Sequence, residues 1–156
     1  ARTLAMMTGA RLLGIPTFEI LAQHCLEAGH TKVEIIADAQ QDKIYAQGFE
    51  NNNGHLISAG ELKIVSTAEW VANRDISFAI AGPGIDKIRC LISGRQDKLV
   101  ESSGNINKES FLALALKKLM SNDSDDPLNL QPLYLRRSSA EEQWDKRLED
   151  KANRER

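Results

Sequence analysis

Two histidines, His24 and His30, suggest chemistry because neutral imidazole is a common metal ligand. They stand six residues apart in a segment that we expect to be helical. At 3.6 residues per turn, this step turns the second side chain by about 240° relative to the first, so the two rings point apart. Gly29 can end the helix before His30, which relaxes the geometry but also loosens the site. We therefore predict no metal site at these histidines.

The turn Gly82-Pro83-Gly84 is a second candidate, because it follows an apolar run typical of a strand. Glycine-containing turns after strands bind phosphate in α/β proteins through closely approaching backbone N–H groups. This turn lacks the lysine of a Walker motif and a third glycine in register. Gly82 and Gly84 are therefore weak candidates for a cofactor-binding loop, and a structural turn is favoured. In the alternative, the chain is a nucleotide-binding enzyme that uses this turn.

Nucleophilic and calcium chemistry are not predicted. Cys25 and Cys90 lie far apart among apolar neighbours without a nearby base, which is typical of buried free thiols in a reducing compartment. No serine occupies a G-x-S-x-G turn. The acidic residues in 121–127 lack the glycine and terminal glutamate of a calcium-binding loop. We therefore predict no catalytic residues, no metal and no cofactor bound by this chain alone.

The composition limits the class of protein. Its 42% hydrophobic and 27% charged residues are ordinary for a soluble globular protein, and 156 residues suffice for one domain or for one and a half lobes of a two-lobe protein. A net charge of −2 and a pI near 6.0 argue against a large basic surface for nucleic acid. No apolar run approaches the roughly 18 to 20 residues of a membrane span. We expect a cytoplasmic protein.

Strands are indicated by apolar side chains with a period of two. Residues 32–49 show this pattern on both sides of a polar break at Asp38 and 40–42, which predicts a hairpin. Apolar residues on both faces indicate an inner position in a sheet. Asn51 to Gly54 predicts the next turn. Further strands are expected at 55–57, 61–65 and 76–81.

Helices are expected between these strands, and the alternation predicts an α/β fold. Thr17 is expected to cap a helix that runs to about Ala28, and Ser66 with Glu69 forms a capping box for a short helix. A helical turn is expected at 85–91. Asn107 is expected to cap an amphipathic helix whose apolar stripe is Leu112, Ala115, Leu116 and Leu119.

The first helix, expected over residues 1–13 and ended by Gly14, is apolar on most of its sides. Such a helix is usually buried on most sides, so one stripe is expected to meet its own sheet and the other a partner protein. Burial wholly within its own lobe is the equal alternative. Because arginine rarely points into a sheet, we assign to the partner the stripe Arg2, Met6, Gly9 and Leu13, and to the sheet the stripe Ala1, Ala5, Thr8 and Leu12.

Three segments resemble, in order and spacing, motifs of one bacterial family. Asp38 to Tyr45, D-A-Q-Q-D-K-I-Y, is similar to its D-A-R-x-x-E-V-Y segment. Residues 1–22 resemble its apolar helix, its G-I-P strand entry and its S-T-L-E-A-L-A helix, and residues 131–136 resemble its P-x-Y-L-R ending. The family is the tRNA threonylcarbamoyladenosine biosynthesis protein TsaB, also called YeaZ.

The resemblance implies an α/β fold of the actin, sugar-kinase and heat-shock-ATPase (ASKHA) superfamily, with a mixed sheet and packed helices. Residues 1–30 are then expected to form the end of the N-terminal lobe, 31–136 the C-terminal lobe, and 137–156 a charged helical tail. The family's first strands and its G-P-G-S-F-T-G-like loop have no counterpart in these 156 residues. We therefore expect that the family's N-terminal part is lacking.

The resemblance also implies a function in making threonylcarbamoyladenosine in tRNA. In the family, transfer belongs to the catalytic subunit TsaD, and TsaB is its non-catalytic companion alongside the ATPase TsaE. This chain is thus expected to be an accessory subunit and not an enzyme, to pair with a TsaD-like subunit through its first helix, and to reach tRNA only through the complex. ATP is expected only at a complex interface, and a homodimer is left open.

The last twenty residues differ from the rest in composition. Ser138 and Ser139 each precede a glutamate by three residues, a capping-box pattern that predicts an exposed helix toward Arg156. An aromatic ring on such a helix usually docks onto something. Trp144 is therefore expected to pack on its own lobe or on a partner surface.

Overall fold

The computed structural model of the protein describes residues 1–135 together with Trp144 and Arg147. A five-stranded sheet has the order β3-β2-β1-β5, and β4 also pairs with β2. The strands are β1 Lys32–Asp38, β2 Lys43–Asn52, β3 His55–Ser58, β4 Lys63–Ser66 and β5 Ala79–Ala81. The helices are α1 Arg2–Thr8, α2 Thr17–Glu27, α3 Thr67–Asn73, α4 Ile85–Ile88 and α5 Lys108–Met120, with a 3-10 helix at Glu101–Gly104.

β1 is the central strand of the sheet. It pairs antiparallel with β2, from Lys32 opposite Glu50 to Asp38 opposite Ile44, and parallel with β5. The predicted hairpin and its inner position are therefore confirmed. The parallel pair and the antiparallel pairs make the sheet mixed, as expected.

The hairpin turn has an unusual backbone. Gln40, Gln41 and Asp42 all have positive φ, of 62°, 47° and 56°. This left-handed conformation costs a non-glycine residue roughly 1–2 kcal/mol. The turn is held from two sides, because the Gln40 N–H donates to Asp38 Oδ1 at 2.7 Å and Thr67 Oγ1 donates to the Asp42 carbonyl at 2.8 Å.

The alternation along β1 divides the core between the two faces of the sheet. Val33 and Ile35 lie on the face covered by α2, and Ile36 lies on the opposite face, covered by α3 and α4. We call these the α2 face and the α3 face. A slip of β1 by one residue would exchange the two sets of side chains, so this register is strongly specified. Each face buries its own cluster: Leu21, Ala22, Cys25, Val33, Ile35, Phe49, Ala79, Ala81 and Val100 on the α2 face, and Ile36, Ile44, Ala46, Trp70, Ile80, Ile85, Ile88 and Ile92 on the α3 face.

α2 packs on the sheet that follows it in the chain. Its buried side chains Leu21, Ala22 and Cys25 share one core with β1 and β5. The resemblance assigns this helix to the end of the first lobe. In the structure, it packs in one core with strands of residues 31–135. The N-cap of α2 is Pro16 and not Thr17, because proline already has the φ that a helix entry requires and Thr17 is the first helical residue.

The first helix is shorter than predicted. α1 ends at Thr8, and Gly9 caps it in the left-handed conformation with φ of 69°. Glycine adopts this conformation without the steric cost that other residues have, so Gly9 and not Gly14 ends the helix. The expectation of a helix over residues 1–13 is wrong, and Leu13 lies beyond the helix in a half-buried segment.

The amphipathic helix α5 presents a different face from the one predicted. Its buried residues are Ser110 and Leu114, whereas Leu112 and Leu116 are exposed. Ser110 Oγ donates to Glu27 Oε2 at 2.6 Å, which fixes this side of α5 against α2. The predicted apolar stripe is therefore wrong for Leu112 and Leu116, whereas Ala115 and Leu119 are half-buried, because helical spacing identifies an apolar side without showing what covers it.

Two further expectations are corrected or lie outside the described part of the chain. The strand predicted over 76–81 is confined to β5, because the Ser77 N–H donates to Asp75 Oδ1 in a turn that leaves Ile76 exposed. The predicted tail helix falls largely on residues that are not described. Trp144 is helical and 62% exposed, so the expectation that its ring packs on its own lobe is wrong.

The capping of α5 gives a stability test. The Asn107 side chain accepts hydrogen bonds from the Glu109 and Ser110 N–H groups at 2.8 and 3.0 Å, as predicted. Asn107→Ala removes both bonds, and we expect it to lower the free energy of unfolding by about 1 kcal/mol in urea denaturation. Asn105→Ala is the matched control, because no side-chain hydrogen bond of Asn105 is found within the described residues. Equal effects of the two variants would contradict the capping role.

Candidate functional site

The segment 1–14 is anchored to residues 118–128 by polar contacts. Arg2 donates to the Pro127 and Leu128 carbonyls at 2.6 and 2.8 Å. The Gly14 N–H donates to Asp125 Oδ2 at 2.6 Å, and Lys118 Nζ donates to the Gly14 carbonyl at 3.0 Å. A seven-residue helix is too short to be stable alone, so these contacts hold α1 in position.

α1 buries one side chain and exposes three large apolar ones. Ala5 is its buried residue, whereas Leu4, Met6 and Met7 are 65%, 59% and 81% exposed. Exposed apolar side chains grouped on one short helix are typical of an interaction surface. We call this group the α1 surface.

The predicted partner-facing stripe does not survive as a single helical stripe. Arg2 and Met6 lie on α1, but Gly9 is its C-cap and Leu13 lies outside it. The guanidinium of Arg2 is engaged with carbonyls of its own chain. The four residues assigned to the partner interface therefore all lie in the N-terminal segment, but only Met6 is a large apolar side chain on the helix.

Gly82 and Gly84 pack directly on the backbone of β1. Gly82 has φ of 105°, and a Cβ built there would lie 2.5 Å from the Ile36 carbonyl oxygen. A Cβ on Gly84 would lie 3.0 Å from the backbone nitrogen of Ala37. Side chains are therefore excluded at both positions, which accounts for the two glycines without a ligand.

The histidines and cysteines are not brought together. His24 lies within α2 and His30 after it, and among the described residues no group of three or more His, Cys, Asp or Glu side chains is arranged to hold a metal ion. Burial raises the pKa of the Cys25 thiol to about 11, so this thiol is protonated near neutral pH. Cys90 is exposed, so the expectation that it is buried is wrong. Both cysteines are free.

A pocket of about 640 Å³ opens on the α3 face of the sheet. Glu34 of β1 and Gly48 of β2 stand opposite each other at its floor. Trp70 of α3 and Phe78 form apolar parts of the lining. Gly48 keeps this space open, because a Cβ there would lie 3.3 Å from Phe78 Cε1.

Glu34 is held in this floor by a hydrogen bond from tryptophan. Trp70 Nε1 donates to Glu34 Oε1 at 2.9 Å, and the side chain of Glu34 is 13% exposed. Its other oxygen, Oε2, lies 4.0 Å from Arg74 Nε, which is too far for a hydrogen bond. Within the described residues, Oε2 accepts no hydrogen bond from the protein.

Arg74 is a fully buried cation beside this pocket. Its guanidinium donates to Asp97 Oδ1 through Nη1 and to the Phe78 carbonyl through Nη2 at 2.7 Å, and it lies 5.1 Å from the centre of the Trp70 ring. Its Nε has no hydrogen-bond partner among the residues that the structure describes. Burial lowers the pKa of Arg74 from its ordinary value, and the charge of Glu34 opposes this shift.

Glu34 and Arg74 were not among the functional residues predicted from the sequence. Two signals pointed to them. Glu34 is a charged residue inside a strand predicted to be inner, and Arg74 follows Trp70 by four residues, the spacing that places two side chains on one side of a helix. An inner carboxylate requires a partner, because an unpaired buried charge is costly.

The architecture now defines a class. A mixed sheet with helices on both faces is an α/β fold, as predicted. Among solved structures, the chain is similar to an uncharacterized protein with similarity to peptidase YeaZ from Pseudomonas aeruginosa, with 21% identity and a TM-score of 0.69 over 86% of this chain. It is also similar to YeaZ from Pseudomonas aeruginosa, with 20% identity and a TM-score of 0.67 over 85% of this chain.

These likenesses concern the fold. The chain spans 63% and 62% of the lengths of the two solved structures. No family model matches the sequence, and no curated protein matches it. Over the part of the chain that the structure describes, none of the helices combines the length and the apolar character that a membrane span requires.

The close approach at Gly82 gives a prediction. Gly82→Ala forces a methyl group against the Ile36 carbonyl in a backbone conformation that alanine disfavours, so we expect the free energy of unfolding to fall by about 3 kcal/mol. Gly60→Ala is the control, because a Cβ at Gly60 meets no atom within 4 Å. Urea denaturation measures both, and a Gly82 variant as stable as the Gly60 variant would refute the packing argument.

The buried cation Arg74 gives a second prediction about stability. Arg74→Met leaves Asp97 and Glu34 without their buried partner, and we expect a loss of about 3–5 kcal/mol of stability. Arg95→Met is the matched control, because Arg95 also contacts Asp97 but is 41% exposed, and surface pairs contribute about 0–1 kcal/mol. Chemical denaturation compares the two. Similar losses of stability in both variants would show that the burial of Arg74 does not account for the effect of Arg74→Met.

Proposed function

We propose that this chain is a non-catalytic partner subunit in the threonylcarbamoyladenosine modification of tRNA, and that it pairs with a TsaD-like catalytic subunit through the α1 surface. Two lines support the proposal. The three ordered motifs resemble the TsaB family, and the fold is similar to that of YeaZ structures. The single observation that carries the proposed pairing is the exposure of Leu4, Met6 and Met7 on an anchored helix.

The anchoring of α1 is what suits it to binding. A surface that is already fixed loses little conformational entropy when a partner docks on it. Arg2 and the Gly14 backbone hold the two ends of the segment, so the apolar side chains between them face outward from a fixed backbone. A methionine side chain is flexible and adapts its shape to a partner surface, so Met6 and Met7 suit a binding role.

The four residues assigned to the partner interface take different parts in this proposal. Met6 provides apolar contact, and Arg2 holds the helix start by its bonds to the Pro127 and Leu128 carbonyls. Gly9 ends the helix and so limits the length of the surface. Leu13 is half-buried at the edge of the segment.

The rest of the proposal concerns the complex. A TsaE-like ATPase is the further protein partner, and tRNA is reached through the other subunits, because a net charge of −2 provides no large cationic surface. ATP would belong to a complex interface and not to this chain alone. The compartment proposed is the cytoplasm, and a homodimer through the α1 surface is the competing pairing. The proposal makes no use of Gly82 and Gly84, whose packing on β1 explains them.

A charge on the α1 surface tests the pairing. We expect Met6→Asp to reduce capture of a purified TsaD-like subunit at least about tenfold, because a carboxylate is desolvated in an apolar interface. Ile76→Asp is the matched control, since Ile76 is exposed to a similar extent, 61% against 59%, and lies after α3. Gly9 is a poorer site for this test, because a side chain there strains the helix end.

The readout separates the competing pairings. Circular dichroism first shows that both variants fold. Loss of capture with Met6→Asp alone supports the proposal, and unchanged capture with both variants rejects it. Light scattering of the chain without the partner then tests the homodimer: a dimer that Met6→Asp dissociates, with no effect on TsaD-like capture, assigns the α1 surface to self-association instead.

A further inference from the structure

The pocket on the α3 face shares no residue with the α1 surface and takes no part in the proposed pairing. Its walls come from the loop between β3 and β4, from α3 and from Phe78, and its floor is the surface of β1 and β2. A volume of about 640 Å³ is within the range of small-molecule sites. The charges and apolar groups of its lining indicate which kind of ligand it could bind.

The lining has an excess of negative charge. Four carboxylates line the pocket, from Glu34, Glu61, Glu69 and Asp75, against two cations, Lys63 and Arg74, which leaves two negative charges in excess. Arg74 gives its hydrogen bonds to Asp97 and to the Phe78 carbonyl and none to the pocket carboxylates. The charge of Arg74 still acts on Glu34 and Asp75, and Lys32 also acts on Asp75, so these cations offset part of the negative excess.

The floor carboxylate is oriented in advance. The indole N–H of Trp70 holds Glu34 Oε1 at 2.9 Å, and Oε2 accepts no hydrogen bond from the described residues. Arg74 Nε is 4.0 Å from Oε2 and is itself inaccessible. A ligand that donates a charge-assisted hydrogen bond to Oε2 would supply a donor that the described residues do not, beside the existing charge contact with Arg74.

The other three carboxylates stand on exposed residues of the rim. Glu61 lies in the loop before β4, Glu69 on α3, and Asp75 just after it. Negative charges at both floor and rim suit a ligand with several separated positive charges more than one with a single charge. The apolar lining from Trp70 and Phe78 suits a hydrocarbon chain between those charges.

We propose that this pocket binds a small linear polyamine, with one primary ammonium group on Glu34 and the remaining positive charge near the rim carboxylates. The proposal does not depend on the TsaD-like pairing, because the two sites share no residue. Failure of one therefore leaves the other standing.

Tryptophan fluorescence gives a direct assay. The sequence has two tryptophans, so Trp144→Phe leaves Trp70, in the pocket lining, as the only emitter. We expect spermidine to produce a saturable change in Trp70 emission. N-butylamine, with one ammonium group, should bind at least about tenfold more weakly, because it cannot engage floor and rim together. Magnesium chloride at matched ionic strength should produce no saturable change.

Variants locate the binding. In the Trp144→Phe background, Glu34→Gln should weaken spermidine binding about tenfold, since it keeps the acceptor for the Trp70 indole but removes the charge. Glu69→Gln, at an exposed position, should weaken it several-fold without risk to folding. Asp123→Asn is the matched control, because it removes a carboxylate outside the pocket and should leave binding unchanged.

The possible results of these binding experiments either support or overturn the proposal. A saturable spermidine signal that falls in both glutamate variants and not in Asp123→Asn supports the proposal. No saturable signal at millimolar spermidine overturns it, and so does equal binding of butylamine. An equal response to magnesium, or an equal loss in Asp123→Asn, also overturns it by showing general charge attraction. If Glu34→Gln fails to fold, the Glu69→Gln variant alone decides between these outcomes.

Discussion

The α3 face of the sheet depends on one buried cation. Arg74 places its charge where water cannot reach it, and this is tolerated because Asp97, the Phe78 carbonyl and the Trp70 ring surround it. These groups come from three separate stretches of chain, so one side chain joins α3 to the residues before β5 and to the segment after α4. Trp70 in turn holds Glu34 on β1. The orientation of α3 over the sheet, and the shape of the pocket between them, therefore follow from where this charge can be satisfied.

Much of this arrangement was predictable from local sequence. The hairpin of β1 and β2, its inner place in the sheet, and the caps at Ser66 and Asn107 depend on neighbouring residues only, and all are confirmed. The errors have a common physical origin. The stripe on α5 and the length of α1 depended on what lies against each helix and on which of two glycines adopts positive φ, and local pattern does not determine either.

The candidate sites show the same division. The α1 surface was partly anticipated, because the apolar character of that helix is visible in its residues. The Glu34 pocket was not, because its members are brought together from β1, from α3 and from the loop before β4. Such a site exists only through tertiary contacts of high sequence separation, and its local signs were a glutamate within an apolar strand and the four-residue spacing of Trp70 and Arg74.

The contact of Gly14 with Asp125 has a consequence for how the protein is made. It joins residues 111 positions apart, and the entropy of closing so long a loop is recovered only after the intervening sheet and helices have formed. We therefore expect the contacts that anchor α1 to form late in folding. A protein that recognises α1 would bind only chains in which both ends of this long loop have met, so recognition would also act as quality control on folding.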